Sequence, residues 1–202
     1  TLETRPESLI IIGSGAIGME FAYIYNAFGT EVTIIEMLDR IVPLEDEEVS
    51  KLALRSFKKQ GMNIQTSKAV KAIEVNDNGA TVTFTDVGDE SKEESISGEK
   101  VLVAIGVAPR CDGLFADSLN IELEHGFILT DAKTATEPTY QTSVSGIYAV
   151  GDIIGPPLLA HVASEEAVTC IERMNSHHTL GVDYNSIPCC TYTNPQIASI
   201  GK

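Results

Sequence analysis

Residues 9–36, LIIIGSGAIGMEFAYIYNAFGTEVTIIE, decide how the 202-residue chain is read. The run SLIIIG, residues 8–13, is continuous and apolar, the composition of a strand buried on both faces of a parallel sheet. Gly13, Gly15 and Gly18 follow at GxGxxG spacing. From Ile17 the apolar positions Ile17, Phe21, Ile24 and Phe28 recur at helical spacing as far as Gly29, which is placed to end the helix. EVTIIE, residues 31–36, is a second strand, so the stretch predicts a βαβ unit.

A GxGxxG alone is a weak signal, because glycine-containing loops produce it by chance. Between a strand and a helix it has a mechanism. Gly13 permits the tight turn, Gly15 lets a pyrophosphate approach the backbone, and Gly18 lets the helix pack closely on the strand. The helix N-terminus adds N–H donors and a partial positive charge. Glu36 closes the second strand, where a carboxylate accepts hydrogen bonds from both hydroxyls of an adenosine ribose and repels a 2′-phosphate. MLDR follows with one basic residue, Arg40, and no basic cluster, so the expectation is NAD rather than NADP. The alternative is a structural βαβ turn with a solvated Glu36.

Further along, PLEDEEVSKLALRSFKKQG (43–61) has acids in its first turn, Lys58 and Lys59 in its last and Gly61 beyond, which predicts a second crossover helix. MNIQT (62–66) is a short strand. KAIEV, the turn NDNG and TVTFTDV (71–87) then form an antiparallel excursion, followed by a polar loop over GDESKEESISG (88–98). KVLVAIG (100–106) returns to the parallel sheet, and GFILTD (126–131) and SGIYAVGD (145–152) are candidates for two more such strands. The later part of 153–176 is helical by period. HHTLGVDYNS (177–186) suggests a linker, and IPCCTYTNPQIASIGK (187–202) opens a β-type segment. No internal repeat or low-complexity tract occurs.

The composition, 43% hydrophobic and 21% charged, is that of a globular protein, and a net charge of −15 argues against nucleic acid or an anionic membrane surface as a partner. No apolar run approaches the length of a membrane span and TLETRPES is unlike a signal peptide, so a cytoplasmic location, or an organelle matrix, is expected. Cys111, Cys170, Cys189 and Cys190 show neither metal-ligand spacing nor a CxxC pair, and no metal site is expected. Cys189 and Cys190 are either buried thiols on a strand or a strained vicinal ring.

The order of IIIGSGAIGMEFA, EVTIIE, VLVAIGVAPR and SGIYAVGDIIGPPLLAHVASEEA resembles the flavoprotein disulfide reductases that bind two dinucleotides, most closely their dihydrolipoamide dehydrogenase branch. The tail CTYTNPQIASIGK is similar to the start of that family's interface domain. The resemblance implies an α/β fold: a Rossmann-like NAD-binding domain with a parallel sheet and antiparallel β-meander over 1–125, the later part of an FAD-binding domain over 126–180, and the opening of an interface domain over 181–202. It places Gly13, Gly15 and Gly18 on the NAD pyrophosphate, Glu36 on its ribose, Glu20 near the nicotinamide, Gly106 close to the cofactor and Ala69 on the adenine side. It places Asp152 on the ribityl chain of FAD, with Leu158, Leu159, Ala160 and His161 along the flavin. Simpler roles stand beside these: Gly106 ending a strand, Glu20 pairing with a neighbouring helix, His161 in a helix-end hydrogen bond, and Asp152 as a helix cap.

The family also uses a first GxGxxG for FAD, a CxxxxC redox disulfide and a His-Glu acid-base pair, none of which occurs here, so no catalytic residue is assigned. His177 and His178 lie in the polar segment and do not match the family's histidine. The implied reading is an internal fragment of an enzyme that oxidises dihydrolipoamide carried on the lipoyl domain of a 2-oxoacid dehydrogenase complex. That enzyme works as a homodimer with FAD and NAD. A glutathione or mercuric reductase-like enzyme, a non-catalytic NAD-binding module and an interaction module are the alternatives.

Overall fold

The computed structural model describes residues 2–201. It divides into two compact units, one running to Gly106 and taking in Pro188–Ser199, the other beginning at Val107 and running to Ile187. The first unit is built in the order β1 (Ser8–Ile12), α1 (Ala16–Ala27), β2 (Glu31–Ile35), α2 (Glu47–Lys59), β3 (Asn63–Gln65), β4 (Lys68–Asn76), β5 (Gly79–Asp86), β6 (Asp89–Gly98) and β7 (Lys100–Val103). Strands β3, β2, β1 and β7 lie side by side in that order, all parallel, with Ile11 opposite Ile34 on one side and Leu102 on the other.

Alternation along β1 explains its unbroken apolar run. Leu9 and Ile11 face one core with Met19, Ala22, Val32, Ile34 and Phe57, while Ile10 and Ile12 face a second core with Ile35, Val82 and Phe84 of the antiparallel sheet β4-β5-β6. One face of the parallel sheet is thus covered by helices and the other by a β-meander. Helix α2 starts where its charges predict: the Asp46 carboxylate caps it by accepting the Glu48 N–H at 2.9 Å, and Ser50, Ala53 and Phe57 form its buried side.

Four expectations change, one of them in GFILTD, whose Phe127 and Ile128 pair antiparallel with Glu124 and Leu123 in a separate hairpin instead of adding a strand to the parallel sheet. Helix α1 forms, but the stripe that reveals its period is not its packing face: Ile17, Phe21, Ile24 and Phe28 are exposed, Phe28 to 73%, and the buried residues are Gly18, Met19 and Ala22. Small residues let α1 approach β1 closely, which large side chains would prevent. Residues 89–98 are a strand, not a loop. β6 pairs antiparallel with β5 through a two-residue connection at Val87 and Gly88, and its order comes from that backbone ladder, its side chains being mostly exposed and charged. Finally, SGIYAVGD forms no regular ladder among the described residues: it makes one antiparallel bridge, Tyr148 with Gln141, where the Ala149 N–H donates to the Tyr140 carbonyl and the Thr142 N–H to the Ile147 carbonyl, and the pairing goes no further.

The second unit contains a short hairpin, β8 (Leu123–Glu124) and β9 (Phe127–Ile128), turned at His125 and Gly126, both with positive φ. Its longest helix, α3 (Ala160–Met174), packs a core of Ala132, Tyr140, Ile154 and Cys170. The terminal strands β10 (Pro188–Thr191) and β11 (Ile197–Ile200) form a two-stranded sheet. All four cysteines are thiols, so Cys189 and Cys190 form no vicinal ring. Among the described residues no helix is long and apolar enough to cross a membrane.

Candidate functional site

Two of the three glycines after β1 are consumed by packing. Gly13 has a φ of +99°, and a Cβ there would stand 2.5 Å from the carbonyl oxygen of Ala104, just beyond β7. A Cβ at Gly18 would stand 2.1 Å from the carbonyl oxygen of Gly13, so strand and helix touch backbone to backbone. Gly15 is different. Its backbone is ordinary, φ −67° and ψ −176°, and nothing lies within 4 Å of where a Cβ would be. It is the N-cap of α1, supplies no side-chain cap, and is followed by a first turn without acids. The leading N–H groups that a helix cannot pair internally therefore adjoin bare backbone and open space, at the positive end of the helix dipole. That is the space and donor set an anionic pyrophosphate requires.

Glu36 follows β2 and is only 7% exposed. Its Oε2 accepts the Ser14 N–H at 2.7 Å and the Ser14 hydroxyl at 2.8 Å, and its Oε1 accepts the Leu38 N–H at 2.8 Å. Of the roughly four acceptor positions on a carboxylate, three are thus occupied by the protein, leaving one on Oε1. The backbone of Glu36 is also fixed: its N–H donates to Gln65 and its carbonyl accepts from Lys68, which places the half-buried Ala69 of β4 beside it. Gly106 is exposed with φ +142°, two residues beyond the Ala104 carbonyl that Gly13 approaches. Gly13, Gly15, Gly18, Glu36 and Gly106 are therefore gathered around the carboxyl end of the parallel strands, where open α/β sheets take ligands. Glu20 is otherwise engaged. Its Oε1 accepts the Tyr192 N–H at 2.7 Å and ties α1 to the terminal hairpin segment rather than to a helix.

In the second unit, Gly151–Ile154 form a single 3-10 turn that presents Asp152 outward, while Leu158 and Leu159 are half-buried and Ala160 and His161 are exposed in the first turn of α3. The turn is held from below by Glu166, 2% exposed, whose Oε2 accepts the Gly151 N–H at 2.6 Å and whose Oε1 accepts the Tyr184 hydroxyl at 2.7 Å. Burial, reinforced by that hydrogen bond to a carboxylate, pushes the Tyr184 phenol well above its ordinary range, and burial also raises Tyr140. Lys133 holds the next residues, donating to the carbonyls of Pro156 at 2.5 Å and Ile154 at 3.4 Å; burial pushes its ammonium pKa down.

Ser14, Glu166 and Tyr184 are the residues the motif reading passes over. Glu166 was findable: it falls with Val162, Thr169 and Cys170 on the buried side of α3, where a solvated charge would not sit. Tyr184 lies in the polar stretch that suggests a linker, and no local pattern marks it.

The family model for pyridine nucleotide-disulphide oxidoreductases matches residues 1–167. Dihydrolipoyl dehydrogenase from Rhizobium etli is 37% identical over 98% of the chain, and that from Mycobacterium leprae 40% identical over 97%. The chain spans about 40% of the length of each. Among solved structures, LpdA from Mycobacterium tuberculosis superposes with a TM-score of 0.86 at 26% identity, covering all of this chain and 41% of that one. The glycine turn, the parallel strands it joins and the turn at Gly151 all fall within the matched residues, and the chain belongs to the pyridine nucleotide-disulphide oxidoreductase family.

Proposed function

We propose that the first unit binds NAD, and that the chain is the nicotinamide-binding core of a dihydrolipoyl dehydrogenase, which oxidises dihydrolipoamide and passes the electrons through a disulfide and FAD to NAD. The observation that carries this reading is the pairing of bare backbone at Gly15 with a buried carboxylate at Glu36, joined through Ser14. The first accommodates a pyrophosphate and the second a ribose hydroxyl. Glu36 favours NAD over NADP, because a 2′-phosphate would meet an acid already short of acceptor room and would bring no donor to it.

When bound, NAD supplies the hydride acceptor and FAD the electron relay, and the chain's own residues position them. Gly13 and Gly18 fix the spacing of strand and helix, the α1 N-terminus holds the pyrophosphate, and Gly106 and Ala69 border the nucleotide. The exposed Asp152 would accept from the ribityl hydroxyls of FAD, and Leu158, Leu159, Ala160 and His161 would border its isoalloxazine. Glu20 stands toward the nicotinamide end while bracing the hairpin segment. No CxxxxC pair occurs among the 202 residues, so in this reading the disulfide and its acid-base partner are supplied from outside them. The parent's partners are a lipoyl carrier domain and a second subunit.

Calorimetric titration of the chain with NADH and, separately, NADPH tests the reading. Micromolar to submillimolar affinity with NADH preferred is the expected result. A folded chain that binds neither would refute autonomous NAD binding, and a preference for NADPH would reassign the chain toward the glutathione or mercuric reductase-like branch.

A further inference from the structure

We infer that Ser14 is a positioning residue that sets how Glu36 reads the adenosine ribose, an inference that rests on the NAD-binding reading above. Ser14 lies between the glycines of the turn, fully buried, and each of its polar groups is committed to the segment that follows β2. Its N–H and its hydroxyl both donate to Glu36 Oε2, at 2.7 and 2.8 Å, and its carbonyl accepts the Val42 N–H at 2.8 Å.

Two consequences follow from those distances. Oε2 has both of its acceptor positions filled from one residue, so it is turned into the loop and removed from ligand chemistry. Oε1, holding only the Leu38 N–H, keeps the single position from which a ribose hydroxyl can be accepted. The Ser14 hydroxyl is thus what distinguishes the two carboxylate oxygens. The backbone N–H alone would leave Oε2 half-satisfied in a dry site, and the carboxylate would gain by rotating to share its open positions. Ser14 itself is shielded from the cofactor by burial, so its influence on binding passes only through the hydroxyl that Glu36 accepts.

That last point separates positioning from a general effect on the turn. Adenosine-2′-deoxy-NADH retains the pyrophosphate, adenine and nicotinamide but lacks the hydroxyl that Glu36 would accept. In titrations of the 202-residue chain, Ser14→Ala is expected to weaken NADH by about three- to tenfold, the partial loss of one charge-assisted hydrogen bond whose acceptor is no longer held in place, and to leave 2′-deoxy-NADH within about a factor of two. The NADH/NADPH ratio should contract with it.

Equal weakening of NADH and 2′-deoxy-NADH would overturn the inference in favour of a change in loop shape, and unchanged NADH affinity would overturn it outright. Should Ser14→Ala fail to fold, Ser14→Gly with the same two ligands decides, since it removes the hydroxyl and adds no atoms. A wild-type chain that binds no NADH, or that binds NADH and 2′-deoxy-NADH alike, would instead refute the NAD or ribose reading on which the inference stands.

Discussion

Replacing Gly15 and Gly18 by alanine, one at a time, separates folding from binding within a single motif. At Gly15 a methyl group meets nothing within 4 Å, and φ −67°, ψ −176° is ordinary backbone for alanine. Lost freedom in the unfolded chain favours the variant by about 0.4–1 kcal/mol, while alanine is a poorer N-cap than glycine by a similar amount, about 0.5–1 kcal/mol. The two offset, and the unfolding free energy should stay within about 0.5 kcal/mol of wild type. At Gly18 the methyl would stand 2.1 Å from the Gly13 carbonyl oxygen, so α1 must move off β1 by about an ångström; overpacking of this kind costs about 1–3 kcal/mol or more. Binding should reverse the order of interest. The Gly15 methyl occupies the open side of the helix N-terminus, and losing one or two hydrogen bonds to a pyrophosphate, about 1.5–3 kcal/mol, weakens NADH about 10- to 100-fold in a chain that is as stable as before. Urea unfolding followed by circular dichroism, with calorimetric titration of the same samples, reads both quantities. Gly15→Ala binding NADH as wild type would refute the placement of the pyrophosphate, and Gly15→Ala as unstable as Gly18→Ala would refute the division of labour between the glycines.

Glu36→Ala should weaken NADH and narrow its advantage over NADPH, by about tenfold for a lost charge-assisted hydrogen bond; unchanged affinity for both, read in the same titration, removes Glu36 from the site. It should also cost about 2–3 kcal/mol of stability in urea, since the N–H and hydroxyl of the buried Ser14 lose their acceptor and the Leu38 N–H loses its own. Glu166→Ala strips the Gly151 N–H and the Tyr184 hydroxyl of their partner and should cost about 2–4 kcal/mol, with Glu166→Gln milder; a loss under about 0.5 kcal/mol for Glu166→Ala would mean the network does not hold the turn. Because the folded state raises the Tyr184 pKa, its contribution to stability is fully present below the unfolded value of about 10 and is lost as pH rises beyond it. Stability should therefore fall more steeply above pH ~10 in wild type than in Tyr184→Phe, and parallel alkaline profiles would show that Tyr184 is not the group responsible.

The same residues show what a sequence can and cannot disclose. β1 and β2 are legible because burial on both faces demands an unbroken apolar run, and α2 because its capping carboxylate and terminal charges are local. β6 is not legible. DESKEESISG has no apolar signature, and what orders it is pairing along β5 at a register no window of neighbours records. SGIYAVGD fails in the opposite direction: its composition suits a strand, yet its pairing with residues 140–142 is a single antiparallel bridge flanked by two backbone hydrogen bonds and extends into no ladder. Helix α1 was readable in its period and misleading in its face, since Ile17, Phe21, Ile24 and Phe28 point away while Gly18 makes the close approach.

Gly13, Gly18 and Glu36 are legible for a related reason: a Cβ at either glycine would strike backbone, and position 36 must accept three hydrogen bonds, so each requirement leaves a mark on the sequence. Ser14 leaves almost none. Its role exists only because the turn after β1 folds back against the end of β2, bringing a hydroxyl from position 14 to a carboxylate at position 36. In the proposed reading, packing and recognition are joined at that contact. The hydrogen bonds that satisfy a buried carboxylate in the protein are the ones that leave a single oxygen position to a ligand, so stability of the turn and selectivity of the site depend on the same three donors. Variation at position 14 should accordingly move both together, whereas variation at Gly15 moves binding alone.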